Sequence, residues 1–76
     1  MNEIAKFVAS ERENHQISLA ELSRRSGVPY STLAQIEKGR CIPQIVTYEK
    51  IMDALGYDVV LMKKWDDRAL ENFKEN

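Results

Sequence analysis

The sequence predicts a mainly α-helical fold that ends in one β-strand, and three observations carry that prediction. Apolar residues recur at helical spacing in four successive segments between Asn2 and Leu55. Helix punctuation falls between those segments: Ser18 three residues before Glu21, Pro29, and glycines at 27, 39 and 56. The period then changes, because Tyr57, Val59 and Leu61 alternate with Asp58, Val60 and Met62 as far as Lys63.

The first helix spans Asn2 to about Asn14, with Ile4, Phe7 and Val8 forming its apolar stripe. Ser18 opens the second through a capping box: its hydroxyl accepts from the Glu21 N–H, and the Glu21 carboxylate reaches back. Leu22 is the inward residue, and Gly27 closes the helix in the left-handed conformation. Pro29 suits the start of a third helix, having a fixed φ and no N–H to satisfy. That helix runs from Tyr30 to about Lys38, with Leu33 and Ile36 inward, and Gly39 ends it. After the loop Arg40–Pro43, a fourth runs from about Gln44 to Leu55, with Ile45, Tyr48, Ile51, Met52 and Leu55 on its apolar face. A polar helix is expected over Asp66 to Lys74. The division expected is a helical domain over 1–56, followed by a strand and polar tail over 57–76. No internal repeat or low-complexity tract interrupts the pattern.

Seventy-six residues, 43% hydrophobic and 30% charged, bound the answer to one small globular domain. Cores of this size are marginal, and partner chains often support them. No apolar run approaches the ~20 residues of a membrane span. The single cysteine, Cys41, excludes an internal disulfide and points to the cytoplasm. A net charge of −1 hides an uneven distribution. Residues 14–52 carry five basic and three acidic side chains, a local +2. The segments on either side carry −1 and −2. A positive middle fits a surface facing phosphates.

The stretch SLAELSRRSGVPYSTLAQIEKG, Ser18 to Gly39, holds two short helices joined by a glycine turn. Such a pair can push its second helix into a DNA major groove. With Leu33 and Ile36 turned inward, the outer face carries Tyr30, Ser31, Thr32, Ala34 and Gln35. Gln35 can bond adenine with both ends of its amide, Ser31 and Thr32 can donate or accept, and Tyr30 brings a ring and a hydroxyl. Lys38 and Arg40 follow where phosphates would lie. Arg24 and Arg25 read as a solvated helix end, and Met52 and Met62 as packing. His15 and Cys41 stand apart from any ligand or nucleophile partner, and Asp66 with Asp67 reads as a helix-start charge pair. No nucleophile–base set, metal cluster or phosphate-cradling loop is present, so neither an enzyme nor a cofactor is expected.

From Ile17 to Gly56 the chain resembles the phage-repressor-like Xre and Cro/C1-type helix-turn-helix transcriptional regulators. The matching residues are Leu22, Gly27, Val28, Ser31, Thr32, Leu33, Ile36, Glu37, Lys38, Gly39, Pro43, Thr47, Ile51, Ala54, Leu55 and Gly56. The resemblance implies a lambda-repressor-like helical domain that binds double-stranded DNA in the bacterial cytoplasm, associated with the nucleoid. It implies base reading by Tyr30, Ser31 and Gln35 with Thr32 nearby, and phosphate binding by Lys38, Arg40, Gln44 and Thr47. It also implies an internal ion pair between Arg12 and Glu37. Two residues depart from the family pattern. Leu19 stands where a glutamine usually contacts the DNA backbone, and Pro29 replaces the usual hydroxyl cap.

A lone strand leaves backbone groups unpaired on both sides. The expected strand, with Tyr57, Val59, Val60, Leu61 and Met62, therefore calls for a second copy, paired antiparallel about a two-fold axis. That gives a homodimer whose recognition helices meet half-sites on a palindromic operator. The stretch LGYDVVLMKK also resembles the tail of HipB-like antitoxins, which repress their own operon and bind a kinase-like, HipA-type toxin. Trp65, Leu70 and Phe73 read as a cover for the ribbon or core, or else as a toxin-binding element. The competing readings are a phage or restriction-system controller, and a protein-interaction module that does not bind DNA.

Overall fold

Caps and closures written into the sequence delimit the four helices of the computed structural model, which describes residues 2–63. They are α1 (Glu3–Asn14), α2 (Leu19–Ser26), α3 (Tyr30–Glu37) and α4 (Ile45–Ala54). The helix expected over Asp66–Lys74 lies outside the described residues.

The Asn2 side chain accepts from the Ala5 N–H at 2.7 Å and starts α1. Ser18 Oγ does the same for the Glu21 N–H at 3.0 Å and starts α2. The other half of the expected capping box gives way to competition, because the Glu21 carboxylate receives hydrogen bonds from Arg24 and Arg25 instead. Charged donors one turn away outcompete a backbone N–H for a carboxylate. The Arg24 hydrogen bonds, then those of Arg25, hold the Glu21 pKa down to about 2.

Three of the four helix endings share one device. After α3, Gly39 takes φ 74°, the Gly39 N–H donates to Ile36 O, and the Arg40 N–H donates to Gln35 O, both at 2.9 Å. This pair of bonds satisfies carbonyls that the helix end would leave orphaned. The same pair closes α4, where the Gly56 N–H donates to Asp53 O and the Tyr57 N–H to Met52 O. It also closes α1, with Gln16 in the left-handed position at φ 58°. No glycine marks that turn, so residue punctuation did not predict it.

Val8, Leu22, Val28, Leu33, Ile36, Ile51, Met52 and Leu55 form one buried cluster. α3 packs on α1 and α2, and α2 packs also on α4. Two positions depart from the expected stripes. Phe7 is 40% exposed while Ala5 is fully buried. Ile45 is 52% exposed at the open end of α4.

Residues 57–63 do not form a strand in the single chain, and no strand occurs among the described residues. The composition favours extended backbone, but a ladder needs a second strand and the described chain offers none. The base of the segment is nevertheless fastened. Val59 packs against the core, Tyr57 lies against Phe7 with ring centroids 5.8 Å apart, and the Tyr57 hydroxyl donates to Glu11. That hydrogen bond is the main cause lowering the Glu11 pKa and raising that of Tyr57. The lowered Glu11 pKa favours the fold above the ordinary carboxylate range, and the benefit fades as pH falls through the folded value. The raised Tyr57 pKa favours the fold below the ordinary tyrosine range, and the benefit fades as pH climbs through the folded value. Tyr57→Phe will therefore move the Glu11 pKa upward, as read by NMR titration of its side-chain carboxyl. An unmoved Glu11 would mean that the contact is not made in solution.

Candidate nucleic-acid interface

The turn between α2 and α3 sets how α3 is presented. Gly27, at φ 75°, ends α2, and its N–H donates to Ser23 O. Ser23 Oγ donates to the Val28 carbonyl at 2.7 Å, and Ser26 Oγ accepts from the Val28 N–H at 3.1 Å. Val28 is itself buried. Two serines thus fix the backbone around an anchored valine, so α3 leaves the turn in one direction. Sequence reasoning passed over Ser23 and Ser26, although a serine in the last turn before a helix-closing glycine is a usable signal.

Leu33 and Ile36 of α3 are fully buried, which turns the opposite face to solvent. Tyr30, Ser31 and Gln35 are exposed on that face, and Thr32 is half-buried beside them. Pro29 makes no side-chain cap hydrogen bond, so the first N–H groups of α3 have no cap acceptor. Lys38, the C-cap residue of α3, and Arg40 just beyond it are both exposed. The closure at Gly39 fixes the backbone from which these two cations extend.

The start of α4 lies on the far side of that loop. Gln44 is its N-cap in extended conformation, with no side-chain cap hydrogen bond. Gln44 is exposed and Thr47 half-buried. An uncapped helix start offers N–H groups and a favourable dipole to an anion. The region therefore has a polar helix face, two cations at its end and an anion-favouring helix start after them. Such an arrangement can place polar groups against base edges while phosphates meet the flanks.

Arg12 and Glu37 meet behind α3. Arg12 Nε donates to Glu37 Oε2 at 2.8 Å, Nη2 to Oε1 at 3.1 Å, and Nη1 to the Ile17 carbonyl at 3.0 Å. One guanidinium thus joins the end of α1, the entry to α2 and the last residue of α3. The Glu37 hydrogen bonds raise the Arg12 pKa further above its ordinary value. Leu19 packs against the hydrophobic cluster, so its position contributes to the core and has no polar group to offer DNA. Arg24 and Arg25 share Glu21, which offsets part of their charge.

His15 and Cys41 are exposed, and among the described residues no three His, Cys, Asp or Glu side chains are grouped to hold a metal ion. Among the same residues no helix is long and apolar enough to cross a membrane. No curated protein and no solved structure matches the chain. A family model described as helix-turn-helix matches residues 8–61, from the second turn of α1 through the segment beyond α4. That span takes in most of the chain and every element of the site, and the protein accordingly belongs to the Xre and Cro/C1-like helix-turn-helix family of DNA-binding transcription regulators.

Proposed function

We propose that the protein is a homodimeric repressor that occupies a palindromic operator, reading bases with Tyr30, Ser31 and Gln35 and with Thr32 at the edge of the contact. Lys38, Arg40, Gln44 and Thr47 hold the phosphates on either side. The observation that carries this reading is the exposed polar face of α3 above the buried Leu33 and Ile36. Its test is titration of the protein onto its own promoter fragment at several salt concentrations. A specific shift that weakens steeply with salt is expected. Absence of any specific shift from an intact dimer would leave a protein-interaction module as the better account.

The two kinds of contact separate by mutation. Gln35→Ala is expected to cost about 1–3 kcal/mol on the cognate site and to relax sequence preference at one position. Arg40→Ala is expected to weaken all sequences alike and to flatten the salt slope by about one unit. Identical behaviour of the two variants on cognate and random DNA would refute these roles.

Dimerisation is assigned to residues 57–63, paired antiparallel with the same residues of a second copy. Val60, Leu61 and Met62 are 71%, 85% and 86% exposed in the single chain, an apolar run that calls for a cover. Val60→Pro removes a ladder donor and is expected to give a monomer in sedimentation, with DNA affinity falling as the paired half-sites are lost. An unchanged mass would sink the pairing.

Within this reading the protein serves as the antitoxin of a HipBA-like operon, repressing that operon and binding a HipA-like kinase toxin. The likeness of residues 55–64 to HipB-type tails supports the assignment. Co-purification with the product of an adjacent kinase-like gene tests it, and a phage or restriction gene in that place would favour a controller instead.

A further inference from the structure

Only Pro29 separates the buried Val28 from the first turn of α3. The angle at which α3 leaves the turn is therefore set by torsions at these two residues. The pyrrolidine ring locks the φ of Pro29, which is −55°. Pro29 O accepts from the Leu33 N–H at 3.0 Å, so that carbonyl is already committed to the helix. The remaining freedom is rotation of the Val28 carbonyl, and Ser23 restrains it by donating its hydroxyl to that oxygen at 2.7 Å. Ser26 holds the other side of the same residue by accepting from the Val28 N–H. A hydroxyl at the helix start would ordinarily steady such a joint, but Pro29 offers no side-chain cap. The steadying hydroxyl comes from α2 instead, on a half-buried side chain.

We propose that Ser23 is a positioning residue for base reading, holding the front of α3 at the angle its contacts need; the proposal rests on the base readers assigned above. α3 is tied at both ends. Arg12 grips Glu37 at the far end with two hydrogen bonds, and Ser23 grips the backbone at the near end. Between them lie Leu33 and Ile36, whose apolar packing has little directional preference. Loss of the near tie lets the front of the helix swing about the far one. At about 1.5 Å per residue, Ser31 lies about 9 Å from Glu37 along the helix and Gln35 about 3 Å. A swing of about 10° thus moves Ser31 by about 1.5 Å and Gln35 by about 0.5 Å. Hydrogen bonds are made over a span of about 0.5 Å, so the contacts of Tyr30 and Ser31 fail first. The pull of Lys38 and Arg40 on phosphates reaches about 10 Å at roughly 0.1 M salt and survives the swing. The Ser23 hydroxyl therefore contributes to discrimination and little to the general attraction for DNA.

Ser23→Ala is expected to weaken binding to the protein's own promoter fragment roughly tenfold, the loss of about one good base contact, and to leave a random duplex of the same length within about twofold. The same substitution in a Tyr30→Ala, Ser31→Ala background is expected to cost almost nothing more, whereas in a Gln35→Ala background it keeps most of its effect. Ser23→Thr retains the donor and is expected to discriminate like wild type. Each affinity is compared below the thermal transition of its variant, followed by far-UV circular dichroism, so that lost stability is not read as lost aim. Equal weakening on promoter and random DNA would overturn the proposal by reducing Ser23 to a structural role. Undiminished discrimination by Ser23→Ala, a full further loss in the Tyr30→Ala, Ser31→Ala background, or a Ser23→Thr no better than alanine would overturn it as well. A wild-type protein that does not distinguish its promoter from random DNA would instead refute the base reading itself, and the proposal with it.

Discussion

Leu33→Ala will lower the unfolding free energy by about 3 kcal/mol, with DNA binding failing as the domain unfolds on warming. Leu33 is fully buried on the inner face of α3, within the cluster that contains Leu22, Ile36 and Ile51. Truncation removes the transfer free energy of the lost carbons and leaves a cavity in a packed cluster that α1 and α2 hold against α3, which relaxes only partly around it. A chain of this size has roughly 4–11 kcal/mol of stability in total. The loss therefore lowers Tm by roughly 15 °C. Chemical denaturation with an unchanged m-value, together with a calorimetric Tm, checks the prediction. A loss below about 1 kcal/mol would show that the core is not packed as described. Operator affinity measured well below the new Tm separates this effect from a direct one. There the variant should bind nearly as wild type, because Leu33 has no access to DNA.

The second large effect concerns Arg12 and Glu37. Their side chains are 20% and 12% exposed, and the guanidinium makes three hydrogen bonds that tie α1, the α1–α2 connection and α3 together. Removal of either partner strands a charge in a site only partly open to water. A fully buried pair would lose about 3–5 kcal/mol, and partial exposure reduces this to about 2 kcal/mol. Glu37→Ala is expected to be the worse of the two, because it leaves the guanidinium without its anion. Arg12→Ala also loses the bond to the Ile17 carbonyl. An Arg12→Met, Glu37→Leu double variant should recover much of the loss, since apolar packing can replace a shielded ion pair without leaving a charge behind. Additive losses in the double variant would mean that the two residues act independently.

Much of the fold was legible because local chemistry and tertiary packing agree. Leu22, Leu33 and Ile36 lie inward as their spacing requires, Ser18 caps α2, and Gly27 and Gly39 close helices at positive φ. What was illegible depended on choices among neighbours. Glu21 had a backbone N–H and two arginines within reach, and spacing alone does not rank them. Gln16 adopts a glycine-like conformation in the short turn between α1 and α2. Phe7 fits the apolar stripe, yet its cover comes from Tyr57, fifty residues later in the chain. The strand expected over 57–63 is not formed among the described residues, because a ladder needs a second strand that the single chain does not offer. In the candidate site, the outer face of α3 could be read by subtracting the inward residues, whereas the serines that aim it, Ser23 and Ser26, were signalled only by their place just before Gly27.

The joint at Gly56 and Tyr57 has a mechanical consequence. Tyr57 is bound to α1 through Phe7 and Glu11, and Met52 O holds its N–H. The segment beyond it is thus mounted on α1 with little freedom to pivot. In a dimer joined through that segment, each mount fixes the bearing of one α3, so a rotation of a few degrees at the joint would be magnified by the distance from the two-fold axis. The distance between operator half-sites would then be gauged by Phe7, Glu11 and Tyr57, none of which belongs to the DNA-reading helix.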